Sequence, residues 1–308
     1  MYTSNRSVVL ANRVFHQVPP YIPYRITTNS TITTIWGRGA NDAKGAAAAQ
    51  IVAALNVLDQ APELNLSSNA LALLFVVGEE NTGEGMKYFS SHAPQNFSHV
   101  IFGEPTEGKL VCGHKGALGL LLNVTGKAAH SGYPQLGVNA NNILIEAMAA
   151  LLALEESLPS SEKFGKTTLN IGTMTGGNAI NVVSPAANAT VAFRLAASTP
   201  ENVRGIVEEA LSSIVKRAAD MGGKLNIQWP LLGYPPVDIS CNIDGIETDI
   251  VNYGTDIPSL QGHHQNWLYG PGSILNAHTP DEFITLADLK DAVAAYEKII
   301  LHTLGINA

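Results

Sequence analysis

The run Leu71-Ala72-Leu73-Leu74-Phe75-Val76-Val77 stops at Gly78 and is followed at once by Glu79 and Glu80. An unbroken apolar run of this length lacks the alternation of a half-exposed strand. It predicts a β-strand buried on both faces, hence parallel, in an open α/β sheet. The two carboxylates then fall at the strand's C-terminal end, where such sheets bind their ligands. Successive side chains in extended backbone point in different directions, so Glu79 and Glu80 are free for different tasks, one holding a metal and one moving a proton. An isolated Glu-Glu pair is ordinarily an exposed acidic loop. The segment that follows, Asn81-Thr82-Gly83-Glu84-Gly85-Met86, argues otherwise, because its glycines let backbone pass close to the acids.

Three further loops carry candidate ligands. Gly37-Arg38-Gly39-Ala40-Asn41-Asp42 leads into an alanine-rich segment, residues 43–58, that predicts a helix with Ile51, Leu55 and Leu58 on its packed face. Asp42 falls at that helix's start, where a carboxylate is favourable as a cap, a role compatible with metal binding. The Gly-x-Gly here is no dinucleotide fingerprint: Asp42 stands at the third glycine, and an acid there repels a pyrophosphate. A strand predicted over 99–102 ends in Gly103-Glu104-Pro105-Thr106. Gly270-Pro271-Gly272 opens a loop that holds His278 and closes on Asp281-Glu282. After it, Thr285 and Asp288 form a capping-box-like helix start, with Leu286, Leu289, Val293, Ile300 and Leu304 as the predicted buried stripe.

Between these loops the rhythm changes. Strands are predicted over 117–125, 167–174, 189–196 and 224–229, with helices over 139–158 and 199–219, the latter opened by Thr199 as cap and Pro200 at the first position. The order βαββαβ is the ferredoxin-like signature. Residues 117–231 are therefore expected to form an inserted domain, with 1–116 and 232–308 together making the domain that bears Asp42, Glu79, Glu80, Glu104 and His278. Carboxylate and imidazole ligands with an open position suit catalytic zinc, and a bridging carboxylate suits a pair of ions.

The chain's 308 residues are 45% hydrophobic, enough for one large core or two moderate ones. A net charge of −8 argues against nucleic acid or an anionic membrane as partner, and no apolar run reaches the roughly 18 residues of a membrane span. Cys112 and Cys241 could pair in an oxidising compartment, but two cysteines do not make a disulfide scaffold. Glycosylation sequons begin at Asn5, Asn29, Asn65, Asn96, Asn123 and Asn188, a mild enrichment. The first residues show no signal-peptide pattern.

Five motifs in order carry a resemblance: Gly37–Gly45, Gly78–Met86, Gly103–Thr106, Ala129-His130-Ser131-Gly132-Tyr133-Pro134 and Ala277-His278-Thr279-Pro280-Asp281-Glu282. They resemble the zinc exopeptidase and amidohydrolase family that includes acetylornithine deacetylase, succinyl-diaminopimelate desuccinylase, aminoacylase and glutamate carboxypeptidase. The stretch Val18–Tyr24 is similar to fungal members described as probable secreted carboxypeptidases. The resemblance implies an α/β zinc-exopeptidase-like catalytic domain with an inserted α+β lid or dimerisation domain, and a homodimer formed through residues 117–231. It implies two zinc ions, with Asp42 bridging, Glu80 and His278 on one ion and Glu104 on the other. Glu79 matches the general base, His130 the residue that stabilises the oxyanion, and Asn181 and Arg194 the residues that bind the substrate's carboxylate. Arg194 also suits a surface ion pair on the sheet. The implied substrate is a small peptide or an N-acyl-amino acid, and the implied location is secreted or vacuolar.

One motif departs from the pattern. The family carries His-x-Asp just before Val-Pro, and here those positions are Val14-Phe15-His16. Valine has no lone pair to give a metal, so the second zinc site is expected to be impaired. The first strand and helix that usually precede this motif are expected to be missing or scrambled. A non-catalytic relative that keeps the fold is the competing reading, alongside a carboxypeptidase or an N-acyl-amino-acid deacylase.

Overall fold

A computed structural model describes residues 8–13, 25–29, 31–67, 69–80, 82–92 and 97–306, so the expectations for Val14, Phe15 and His16 lie outside the described residues. The chain forms two compact units. One takes residues up to Gly113, Asp238–Val251 and the chain from Thr255 onward, and the other takes His114–Val237 with Asn252–Gly254.

The first unit is built on a four-stranded parallel sheet, ordered Gln265–Tyr269, His99–Gly103, Val8–Arg13, Leu71–Val76. Its core joins Val8, Leu10, Ile101 and Trp267 to Tyr296, Ile299 and Ile300 of helix Leu286–Leu304 and to Ala49, Ala53 and Val57 of helix Ala46–Asp59. A first strand is thus present after all: Val8–Arg13 sits inside the sheet, with Leu10 opposite both Leu73 and Ile101. The run at Leu71–Val76 is parallel, as its composition predicts, but it is the edge strand. Among the described residues it pairs with one neighbour, and Leu73 and Phe75 are about two-fifths exposed instead of buried on both faces.

Helix Ala46–Asp59 also turns differently from expectation. Its buried face is Ala46, Ala49, Ala53, Ala54 and Val57, while Ile51, Leu55 and Leu58 face outward. Small residues let this helix lie close against the C-terminal helix, and that close packing outweighs the burial of larger side chains elsewhere on its surface. The helix begins four residues after Asp42 and its cap is Gly45, so Asp42 does not serve as the cap. The C-terminal helix starts with the expected capping box: Thr285 Oγ1 accepts the Asp288 N–H at 3.0 Å, and Asp288 Oδ2 accepts the Thr285 N–H at 3.3 Å. Its stripe is rotated, with Ala292, Tyr296, Ile299, Ile300 and Leu304 buried and Leu286 exposed.

One pairing positions two of the loops at the sheet's C-terminal edge, and one disulfide closes a long loop of the chain. A small antiparallel sheet pairs Thr33–Trp36 with Phe283–Thr285, which brings the loop after Trp36 beside the end of the loop before Phe283. Cys112, in strand Leu110–His114, is disulfide-bonded to Cys241 across a sequence separation of 129.

The second unit is an antiparallel sheet ordered Thr168–Gly176, Ala186–Leu195, Gly116–Thr125, Lys224–Tyr234, with helices Ala140–Leu154 and Pro200–Asp220 on one face. That strand order, with that βαββαβ connectivity, is ferredoxin-like. Strand Ala186–Leu195 shows why the sequence folds so. Residues 187, 189, 191, 193 and 195 are buried against the helices, and 188, 190, 192 and 194 are exposed on the other face. Leu144 and Leu151 from one helix and Val203, Val207 and Leu211 from the other fill the core. Thr199 Oγ1 accepts the Asn202 N–H at 3.3 Å and Pro200 opens the second helix.

Candidate metal centre

Three loops of the first unit meet at one point. Asp42 comes from the loop after Trp36, Glu80 from the loop after Val76, and His278 from the loop after Tyr269. His278 Nε2 lies 3.2 Å from Asp42 Oδ2 and 3.0 Å from Glu80 Oε2. Each residue offers one ligand atom, and the three atoms lie within 4.8 Å of one another, the one such group among the described residues. The Asp42 side chain is 2% exposed, Glu80 14% and His278 58%, so the group opens to solvent on the histidine's side.

The electrostatics follow from that contact. The hydrogen bond to Asp42 raises the His278 pKa, burial opposes the rise, and the charges of Glu80 and Asp42 add to it, giving a value of about 9. Nε2 thus faces both carboxylates at the place a divalent cation would fill, and a cation bound there would displace a proton from it. One imidazole nitrogen and two carboxylate oxygens in mutual reach are a donor set suited to zinc with an open position, so the residues present fit a metal ion.

Backbone strain accompanies the histidine. His278 has φ 61, sparsely populated for a residue with a Cβ and worth roughly 1–3 kcal/mol. Its neighbours hold it there: Thr279 Oγ1 donates to the Asn276 carbonyl at 2.9 Å, and Arg38 donates to the Thr279 carbonyl at 3.1 Å. On the facing side, the Asp42–Ala43 peptide is cis.

Glu104 and Glu79 share a separate lining rather than the three-ligand group itself. Both line a small recess with Asn12, Met86 and Asp256. Gly103 makes room for it, since a Cβ there would collide with Asn12 and come within 3.0 Å of Gln50 Nε2. Glu104 is 6% exposed and its loop is clamped to the His278 loop: Thr106 Oγ1 accepts the Gly270 N–H at 2.9 Å, and the Thr106 N–H donates to the Gly270 carbonyl at 3.2 Å. Sequence reasoning missed Asp256, a buried acid in Gly254-Thr255-Asp256. The clue was an acid after a glycine in an otherwise unassigned loop. It also left Glu282 without a role.

His130, Asn181 and Arg194 belong to the second unit and are exposed there. His130 Nδ1 accepts the Gly132 N–H at 3.0 Å. That bond fixes the neutral ring with its proton on Nε2, the tautomer that presents a donor outward. His130 and Asn181 are adjacent in space, since residue 130 bridges to Val182 and the Ser131 N–H donates to the Asn181 carbonyl at 3.0 Å. Arg194 lies on the sheet face opposite the helices, beside the Gly254 backbone.

A parallel sheet carrying acid and histidine loops at one edge, interrupted by a ferredoxin-like insertion, is the architecture of a two-domain hydrolase. Residues 112–219 match the M20 family's peptidase dimerisation domain. The chain is 46% identical over 320 residues to a protein of Aspergillus flavus described as a probable carboxypeptidase, covering 97% of this chain and 73% of that one. It is 44% identical over 314 residues to a peptidase M20 domain-containing protein of Sordaria macrospora, covering 96% of this chain and 68% of that one. An M20 family metallo-carboxypeptidase from Sulfolobus solfataricus shares the fold, with a TM-score of 0.68 at 17% identity over 98% of this chain and 86% of its own. The chain belongs to the M20 peptidase family and is a peptidase or amidohydrolase.

Proposed function

We propose that this protein is a zinc-dependent carboxypeptidase that hydrolyses an amide next to a free carboxylate, with Asp42, Glu80 and His278 holding the metal. The observation that carries the reading is the convergence of those three side chains, each from a separate loop, within 4.8 Å. Zinc, when bound, supplies Lewis acidity that polarises the scissile carbonyl and brings the pKa of water towards ~7. Glu79, adjacent in sequence to Glu80 but lining the recess, is the base that takes the attacking water's proton and delivers it to the leaving amine. His130, held as the Nε2–H tautomer by Gly132, donates to the developing oxyanion. Arg194 and Asn181 receive the substrate's terminal carboxylate, for which the guanidinium's fork of donors is suited.

Glu104 lies apart from the three-ligand group, and the family's histidine is replaced by Val14, so the proposal assigns one firmly held ion per chain. The second unit is proposed to pair two copies. Ile145 and Leu152 are exposed on helix Ala140–Leu154, and Met174 is exposed on the edge strand, in keeping with the dimerisation-domain match. The Cys112–Cys241 disulfide supports an oxidising, secreted or vacuolar setting.

The test compares N-blocked dipeptides bearing a free C-terminus with the same dipeptides amidated, before and after chelation. Release of the C-terminal residue from the free acids alone, lost on chelation and restored by zinc, is expected. Equal cleavage of the amides removes the carboxypeptidase reading. Faster removal of a simple acetyl group favours the deacylase. No hydrolysis of any substrate leaves the non-catalytic relative.

A further inference from the structure

Glu282 ends the loop that carries His278, yet its side chain points to the loop that carries Asp42. It is 1% exposed and its two oxygens are fully used. Oε1 accepts the backbone N–H of Asn41 at 3.0 Å and of Asp42 at 2.9 Å. Oε2 accepts the N–H of Gly39 at 3.0 Å and the Arg38 guanidinium at 2.8 Å. Three amides of one short loop thus converge on a single carboxylate, as backbone nests do on anions. The amide of Asp42 itself is among them, and the backbone carbonyl of Glu282 accepts the Gly37 N–H at 3.0 Å. Arg38 in turn reaches back to the Thr279 carbonyl, next to His278.

We infer that Glu282 is the positioning residue of the metal site, holding the Asp42 loop and the His278 loop in the one relative placement that brings their ligand atoms together. The inference rests on the metal reading above. The physical reason lies in donor and acceptor counts. Four donors face four acceptor sites on a carboxylate, and none of the four is open to water. An amide at the same position turns one oxygen into an NH2, which then confronts two N–H donors whichever way it is placed. The loop must move to relieve that, and Asp42 moves with it. Outer partners of this kind typically matter by 10–100-fold in metal affinity.

The experiment measures Zn2+ affinity of the full chain by competition with a chromophoric chelator, and the visible spectrum of bound Co2+, for the wild type, Glu282→Gln, Arg38→Gln and Leu144→Ala. Leu144→Ala weakens the second unit's core and controls for lost stability. A tenfold or greater loss of Zn2+ affinity and an altered Co2+ spectrum are expected for Glu282→Gln, with Arg38→Gln intermediate and Leu144→Ala unchanged. Should Glu282→Gln fail to fold, Arg38→Gln is decisive, because it keeps the three amide bonds to Glu282 and loses the guanidinium's bonds to Glu282 and to the Thr279 carbonyl. Unchanged affinity and spectrum in the folded variant overturn the inference while leaving the metal reading intact, and so does an equal loss in Leu144→Ala. A wild type that binds neither ion overturns the metal reading itself and the positioning role with it.

Discussion

His114, the first residue of the second unit, is a titratable ring buried away from solvent. The ring is fully buried, donates its Nδ1–H to the Lys115 carbonyl at 2.8 Å and meets Tyr234 edge-on at 6.0 Å. Burial lowers its pKa from 6.5 to about 4, against an opposing effect of the Lys115 hydrogen bond and with help from the positive charge of Arg194. The folded pKa is thus depressed below the unfolded one, so between about pH 6.5 and pH 4 the unfolded chain binds a proton that the folded chain refuses. Stability therefore falls as the pH drops through that window and levels off below it, once the folded ring is protonated too. A difference of about 2.5 pKa units at about 1.36 kcal/mol each amounts to about 3 kcal/mol. Carboxylates titrate in the same range, so the measurement is a difference between two proteins. His114→Asn keeps a donor near the Nδ1 position and removes the titration. Urea unfolding at intervals from pH 7 to pH 4, read by amide exchange in strand Gly116–Thr125, should show the wild type losing about 3 kcal/mol more than His114→Asn. Parallel curves for the two would refute the assignment of this cost to His114.

Three other outcomes follow from the same coordinates. Glu79→Gln should cut the rate of hydrolysis by roughly 10² or more while zinc content by elemental analysis stays constant, whereas loss of zinc would exchange the roles of Glu79 and Glu80. Cys241→Ser should destabilise the folded chain by roughly 2–4 kcal/mol, seen as a lower thermal midpoint that reducing agent no longer shifts. Leu144→Ala, at a fully buried position between the two helices and the sheet, should cost about 2–5 kcal/mol in the second unit and leave exchange in the first unit unaltered.

The second unit was legible because its signals are local. Thr199 and Pro200 announce one helix, and the alternation at 187–195 assigns each residue of a strand to a face. The first unit was less so, for reasons visible in particular residues. Large side chains at Ile51, Leu55 and Leu58 advertise a packed face, yet close approach of two helices favours the alanines. Whether Leu71–Val76 is central or edge depends on which strands exist elsewhere, and Val8–Arg13 is short and followed by a motif that departs from the family's. Asp42, Glu80 and His278 were readable as acids and a histidine at loop positions. The buried contact of Arg38 with Glu282 spans 244 residues and has no local signature.

The disulfide has a mechanical consequence. Cys112 and Cys241 lie just outside the long segment of the second unit, His114–Val237, whose remaining residues are Asn252–Gly254. A load applied to the chain on either side of the bridge passes from one sulfur to the other and never enters the residues between them. Segment His114–Val237 is then a side loop off the tension line, extensible only after reduction. Opening the bridge would release the 129-residue separation as slack, about 440 Å of contour at ~3.4 Å per residue. In a single-molecule pull the segment between the two cysteines should therefore be absent from the force trace of the oxidised protein and appear as added length in reductant.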